Sequence, residues 1–437
     1  MLMCRISRSD AASSDRVGRM LDGLSKPCRH GLSVRDRVVR RVLVRRLYLL
    51  LELQRKRRYL RDQQPLSLRT HPQQIVRFLA WALVSLEASA ALGLPPPRLE
   101  LDHRTLLPAS LAKAADIRFA DALTIVVSAR EVGVARVTHD GRGFGEPTVL
   151  LREGGAGGVV MAEHLGLSRD YVAVASPLSQ LVWTSRGRGD ARGALGTWDT
   201  PDRAPISFFE DIDLHGERLA ILGLMRSETG MSRDGAIAWL GDLGAPAVEL
   251  RPFAYAKAGP GARPFDVCAA FAIGKVRFLK DGTLLLVPGA ESGAYLYSAK
   301  GELVRAWDTR ELGVGVDCDL DDDALISFGS DVGARLEYVN KHVTVDEILP
   351  TPLGPALLLR TVDRTGTRWK LAVLGDDGSM LQVDVPLTSA SRNSHLRGDV
   401  LEERVILLLN EFLATPGEDR AELIELRWKP ATTTNPS

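Results

Sequence analysis

The chain has 437 residues, 45% of them hydrophobic, with 40 glycines and four cysteines, which suits one large folded domain, or one large and one small, and excludes a disulfide-dense scaffold. The formal net charge of +1 is a cancellation: of 56 basic and 55 acidic residues, 18 and 6 fall in residues 1–75, which leaves 38 and 49 in the remainder. A basic leader therefore precedes an acidic body.

Residues 1–75 form a basic segment in which sixteen of the 18 cations are arginine. Val34 to Asp62 has no Gly or Pro and the composition of a helix. One reading is an Arg-rich helix for nucleic acid or an anionic surface. The other is a mis-annotated start. Within residues 76–93, Arg77 supplies a positive start, Phe78 to Leu86 an apolar core, and Ala88-Ser89-Ala90 a small-x-small cleavage site. That is the layout of a secretory signal peptide, which belongs at an N-terminus. A valine codon can start translation in bacteria, so synthesis from Val76 is the expectation; Glu87 departs from the pattern. A core helix or a span over Ile75 to Leu94 is the alternative, though Arg77 and Glu87 make a poor span. Residues 94–111, with Pro95-Pro96-Pro97, read as an extended lead-in.

From residue 112 the chain alternates short apolar strands with turns. Lys275 to Thr309 sets the pattern: Val276 to Leu279, an Asp281-Gly282 turn, the apolar run Leu284 to Val287, the alternating Ala294 to Ser298, a Lys300-Gly301 turn, and Leu303 to Trp307. Hairpins of this kind are expected at Leu123–Val127/Gly133–Val137, Tyr171–Ala175/Gln180–Thr184, Arg218–Leu224/Ala236–Leu240, Thr283–Val287/Ala294–Ser298, Ala324–Phe328/Arg335–Val339, Ala356–Arg360/Trp369–Leu374 and Val405–Asn410/Glu422–Trp428. Outer strands are expected at Pro147–Leu151, Ala247–Leu250, Leu303–Trp307, Val343–Ile348 and Leu381–Val385.

Seven units over residues 112–428 average roughly 45 residues, the period of a β-propeller blade. The fold class expected is therefore all-β: a β-propeller of about seven four-stranded blades, with six as the alternative. Inner strands buried on both faces read as continuous apolar runs. Residues 429–437 are a polar tail, so a strand near Arg98 to Asp102 is expected to complete the last sheet and close the ring. With its Asp-Gly and Lys-Gly turns, Lys275 to Thr309 resembles one blade of bacterial NHL-like or TolB-like propellers. The likeness implies architecture alone, and it is a poor match to WD40 repeats because the Trp-Asp pairs come late in the unit.

No phosphate loop, HExxH, CxxC or Gly-x-Ser-x-Gly occurs. The densest acidic stretch holds Asp317, Asp319, Asp321 and Asp323; alternating carboxylates of this kind make a weak Ca²⁺ site, lacking the glycine and closing Glu of a calcium loop. Glu210, Asp211 and Asp213 form a smaller cluster, suited to the mouth of a channel. Cys268 and Cys318 lie about one blade apart and suit a disulfide in an oxidising compartment. The reading is an exported propeller, periplasmic or extracellular, that binds a protein or small-molecule ligand at one face as a monomer. The alternatives are an exported hydrolase or lyase working in the central channel, and an intracellular protein whose basic helix binds nucleic acid. A histidine meeting two or more acids, or an arginine, within a single funnel would favour the enzyme.

Overall fold

A computed structural model of the chain describes residues 97–429 except 139–142, 153–160, 177–179, 186–191, 197–205, 228–229, 232–235, 246, 256–273, 290–291, 315–331 and 412–419. The chain divides into two units, residues 1–93 and 94–437, and every described residue belongs to the second.

Strand β1 (Arg98–Leu106) opens the unit. The first sheet is then β2 (Ala114–Asp121), β3 (Thr124–Ala129), β4 (Gly133–Thr138) and β5 (Thr148–Arg152). The second is β6 (His164–Leu167), β7 (Tyr171–Ala175), β8 (Gln180–Ser185) and β9 (Arg192–Gly196). The third is β10 (Ile206–His215), β11 (Arg218–Ser227), β13 (Ala236–Asp242) and β14 (Arg251–Tyr255), with the short β12 (Gly230–Met231) beside β11. The fourth is β15 (Lys275–Phe278), β16 (Leu284–Val287), β17 (Ala294–Tyr297) and β18 (Leu303–Trp307). A short helix, α1 (Val332–Val339), precedes the fifth sheet: β19 (Thr344–Thr351), β20 (Gly354–Asp363), β21 (Gly366–Leu374) and β22 (Met380–Ser389). The sixth is built from β23 (Ser394–Leu401), β24 (Arg404–Glu411) and β25 (Arg420–Lys429), and β1 returns from the other end of the unit to pair antiparallel with β25.

The first strands β2, β6, β10, β15, β19 and β23 touch their neighbours in that order, and β23 touches β2 again. Six four-stranded meanders thus close into a propeller ring. Six apolar clusters fill the joints between adjacent sheets, one per joint. The continuous apolar runs follow from this. In β16, Leu284 and Leu286 pack toward the third sheet, whereas Leu285 and Val287 pack toward the fifth. A strand sandwiched between two blades has no solvent face on which polar residues could alternate.

The ring has six blades, not seven, because the expected fifth hairpin does not exist. Arg335 to Val339 lies inside α1, where the Asn340 N–H bonds the Leu336 carbonyl at 2.9 Å, a local helical bond in place of a cross-strand one; Ala324 to Phe328 lies outside the described residues. Val343 to Ile348 is not an outer strand: it falls in β19, the innermost strand of the fifth sheet, buried along nearly its whole length. The outer strand of the third sheet is Arg251–Tyr255, just after the expected Ala247 to Leu250. The closing strand expected at Arg98 to Asp102 is present and runs on to Leu106. Among the described residues no helix is long and apolar enough to cross a membrane.

Candidate functional site at the propeller axis

Each innermost strand pairs with its own sheet along one edge, leaving N–H groups on the other edge toward the axis and the next blade. Buried N–H groups need acceptors. Carboxylates from the neighbouring blade supply them. Asp116 Oδ2 accepts from Leu165 N at 3.0 Å, Asp211 Oδ2 from Val276 N at 2.9 Å, and Asp213 Oδ2 from Phe278 N at 2.8 Å. Asp346 Oδ2 accepts from Leu396 N and Asp399 Oδ2 from Phe119 N, both at 2.9 Å. These bonds join the first sheet to the second, the third to the fourth, the fifth to the sixth, and the sixth back to the first.

The acids follow a rule of alternation. In β2, β10 and β19 the pairing register slips by one residue, at Ala115, Glu210 and Asp346. A bulge turns consecutive side chains toward one side and re-aims them. Immediately after each bulge comes an acid followed by isoleucine: Asp116-Ile117, Asp211-Ile212 and Glu347-Ile348. The intervening strands pair without a slip and carry a base in the equivalent place: His164, Lys275 and His395, each preceding a residue whose N–H is bound by an aspartate of the blade before it. Acid-bearing and base-bearing blades alternate around the ring.

A further set of cations neutralises the acids. Arg118 Nη1 donates to Asp116 Oδ1 at 2.5 Å, to the Ile117 carbonyl at 2.9 Å, and to Glu347 Oε2 and the Gly398 carbonyl at 3.4 Å. Arg277 Nη2 donates to Asp399 Oδ1 at 2.5 Å, and its Nε lies 3.7 Å from Asp213. Arg397 donates to the Asp346 carbonyl at 2.9 Å and feels the charges of Asp211, Glu347 and Asp116. His395 Nδ1 lies 3.0 Å from Asp346 Oδ1, whose other oxygen also accepts from the Trp369 indole at 2.8 Å.

Protonation follows burial and partners. Burial pushes Asp116 up to about 6, with Arg118 opposing, and pushes Asp213 up to about 6 against Arg277. Burial works in the same direction on Asp346, yet the neighbouring His395, with Arg360 and the Leu396 N–H, holds it down at about 2. Glu347 is likewise buried, and Arg118, Arg277 and Arg397 bring it below the ordinary range. Burial, then the charges of Arg397 and Lys275, keep His164 neutral by lowering it well below its usual value. Lys275 is lowered by burial and by Arg397, with Asp211 opposing.

The bonding is uneven. Among the described residues, four buried atoms on four consecutive inner strands have no hydrogen-bond partner: His164 Nδ1, Asp211 Oδ1, Lys275 Nζ and Thr344 Oγ1. Lys275 is 0% exposed and Asp211 1%. Arg118 and Arg277 also keep unpartnered N–H groups. The carboxylates Asp346, Glu347 and Asp399 and His395 are bonded among themselves and to the arginines, whereas these unpartnered atoms run from Arg118 on β2 through β6, β10 and β15 to Thr344 at the start of β19, the open arc.

Glu210 offers a direct check on these electrostatics. It accepts from Gly274 N at 3.3 Å, and burial pushes its carboxyl from an ordinary 4.5 up to about 8. The folded protein then binds that proton more tightly than the unfolded chain, so the contribution is fully present below about pH 4.5 and is lost as pH rises through 8. Glu210→Gln is expected to gain stability relative to the parent between pH 5 and 8, by at most about 1.4 kcal/mol per pH unit and by less where water reaches the carboxyl. Denaturant midpoints of both proteins at pH 5 and 8 that differ by a constant amount would remove Glu210 from the set of raised carboxyls.

Of the residues singled out in the sequence, Asp211 and Asp213 are at the axis, on an inner strand rather than in a turn at a channel mouth, and Glu210 lies beside them in the bulge. Asp317, Asp319, Asp321 and Asp323 lie outside the described residues, as do Cys268 and Cys318. Asp116, Arg118, His164, Lys275, Arg277, Asp346, Glu347, His395, Arg397 and Asp399 were not anticipated. The acid-isoleucine pair at the start of every second unit is the signal that would have found Asp116 and Glu347.

The fold and its charged axis define a six-bladed β-propeller. No protein-family model matches the chain, and no curated protein matches its sequence. Solved structures do match in shape. A member of the DUF4221 family from Bacteroides vulgatus aligns with 12% identity and a TM-score of 0.51, covering 77% of this chain and 99% of that one. A virginiamycin B lyase from Staphylococcus aureus aligns with 7% identity and a TM-score of 0.41 over 76% and 99%. YCF48 bound to a D1 peptide aligns with 11% identity and a TM-score of 0.37 over 76% and 99%. At 12% identity the likeness to the DUF4221 structure shows the fold and nothing of the activity.

Proposed function

We propose that the chain is an exported propeller that binds a small polar molecule at its axis and does no chemistry on it. The observation carrying this reading is the open arc. Leaving a charged group buried without a partner is costly, and native proteins explain such groups by an ion, water or ligand. Here an ammonium, a carboxylate oxygen, an imidazole nitrogen and a hydroxyl stand unpartnered on consecutive strands, and Arg118 and Arg277 keep N–H groups without a partner beside them. The signal-peptide layout of residues 76–93 supports export.

The test is a thermal-shift screen of the full chain, and of Lys275→Met, against small polar metabolites. A shift of several degrees that the variant loses is expected. If nothing shifts the parent and Lys275→Met is the more stable protein at every pH, the axis is an ionic plug and the reading fails.

A second reading, a hydrolase or lyase, is favoured by one observation. His395 is hydrogen-bonded to Asp346, with Arg397 and Arg360 in electrostatic range, an arrangement suited to proton transfer. A ligand found by the screen that is returned chemically altered, and returned intact by His395→Ala, would promote this reading over the first.

A further inference from the structure

We infer that the open arc takes a small zwitterion of the free amino-acid class, one carboxylate and one primary ammonium, and this rests on reading the axis as a binding site. The unpartnered atoms sort by charge. Lys275 Nζ carries three N–H donors and bonds nothing. Arg118 Nε and Nη2 and Arg277 Nη1 add unused N–H groups. Together they ask for an anionic acceptor of several bonds, which a carboxylate is.

The remaining three atoms ask for the opposite. Asp211 Oδ1 is an acceptor only. His164, kept neutral by burial and by the charges of Arg397 and Lys275, has one acceptor nitrogen, and its Nδ1 has no hydrogen-bond partner. His164 Nδ1 and Asp211 Oδ1 stand 3.9 Å apart, too far to bond each other, and with Nδ1 unprotonated they are suitably spaced for one N–H bearer to reach both. Thr344 Oγ1, on the strand next to that of Lys275, is a further unpartnered hydroxyl that can donate or accept. A primary ammonium supplies the N–H donors that Asp211 Oδ1 and an unprotonated His164 Nδ1 lack.

Net charge decides against the simpler ligands. Asp116, Asp211, Asp213, Asp346, Glu347 and Asp399 face Arg118, Lys275, Arg277, Arg360 and Arg397, with both histidines shifted toward the neutral form. A bare anion would add charge to a cluster already rich in carboxylates, and a bare cation would leave the Lys275 and arginine donors unmet. A zwitterion satisfies both groups and adds no net charge.

The experiment is titration calorimetry of the full chain with glycine, L-alanine and larger L-amino acids, and with acetate, methylammonium, glycine betaine, glucose and inorganic phosphate. One or more amino acids are expected to bind. Acetate and methylammonium should bind at least tenfold more weakly than the best of them, and so should betaine, which keeps both charges but has no N–H to give Asp211. Asp211→Asn and Lys275→Met should each weaken the amino acid at least tenfold, with circular dichroism unchanged. Binding of glucose or phosphate without any amino acid overturns the zwitterion while leaving an axial binding site. Binding of no probe overturns the zwitterion, and if Lys275→Met is then also more stable than the parent the axial binding site falls with it.

Discussion

A chain that begins at Ala109, and so lacks β1, is expected to lose the ring rather than a single edge. The sixth sheet is assembled from both ends of the unit, and β1 is its outer strand, paired with β25 from Arg98↔Lys429 to Leu106↔Glu422. Leu99 is buried in the apolar cluster that joins the fifth and sixth sheets, beside Leu426 and Trp428. Removing β1 uncovers that cluster and leaves β25 an open edge with unpaired backbone groups. The apolar burial alone is worth about 2–3 kcal/mol for Leu99, and the lost ladder adds to it. The exposed pairs Arg104–Glu422 and Arg427–Asp102 contribute little. The expected result is a fall in Tm of more than about 10 °C, or a protein that does not fold. A synthetic peptide covering residues 97–108 should recover part of the loss by docking on β25. If the shortened chain melts cooperatively within a degree or two of the parent, β1 is an ornament and the ring is closed by packing of the inner strands alone.

That closing strand was legible in the sequence because an incomplete last unit has to find its fourth strand somewhere. Six of the seven expected hairpins are real for a similar reason: Leu284 to Val287 is apolar at every position because it serves two joints. The blade count was not legible. Leu336, Glu337 and Tyr338 alternate as a strand would, yet Leu336 and Glu337 are exposed, and the chain there closes local helical bonds. Alternation over five residues does not distinguish a strand from one turn of helix when its tertiary partner is unknown. Val343 to Ile348 was misplaced within its blade for another reason. A strand at the axis and a strand at the rim can carry equally mixed residues, the first because charges pair there and the second because water reaches it.

The site was hardly legible at all. Asp116, Asp211 and Glu347 lie in three alternate blades, and they converge only when the ring closes. No single stretch contains two of them, so local density points instead to acids that cluster in sequence. Lys275 illustrates the difficulty further. In the sequence it looks like an ordinary solvated lysine at the start of a strand. In the structure it has no exposure, because the first residue of an innermost strand lies where six blades meet. What was available beforehand is the recurrence of an acid followed by isoleucine at the head of every second unit.

Arg118→Ala is expected to be among the most destabilising substitutions in the molecule, and its pH dependence should reveal why. The guanidinium is buried and bonded to Asp116, Glu347 and two backbone carbonyls. Its loss strands two carboxylates in a water-poor space, for which about 3–5 kcal/mol is the usual cost. The two acids respond differently. Asp116 is held at about 6 even with Arg118 present, because burial outweighs the neighbouring charge. Without Arg118 its pKa rises further, so at pH 5 it takes up a proton and sheds its charge. Glu347 keeps Arg277 and Arg397 as partners. The deficit of Arg118→Ala, measured by urea unfolding, should therefore be larger at pH 8 than at pH 5. The companion variant Arg118→Met with Asp116→Asn and Glu347→Gln separates charge from shape. It removes the cation and both carboxylates while keeping much of the volume, and it should recover at least half of the loss at pH 8 and show a weaker dependence on pH. Equal deficits at pH 5 and 8, or a triple variant no better than the single one, would mean that Arg118 acts by filling space and holding the Ile117 and Gly398 carbonyls. The alternating charges would then be incidental to how the blades are joined. The opposite outcome would make ion pairing at the axis a condition of closure, with the unpartnered arc around Lys275 as the place where that condition is relaxed.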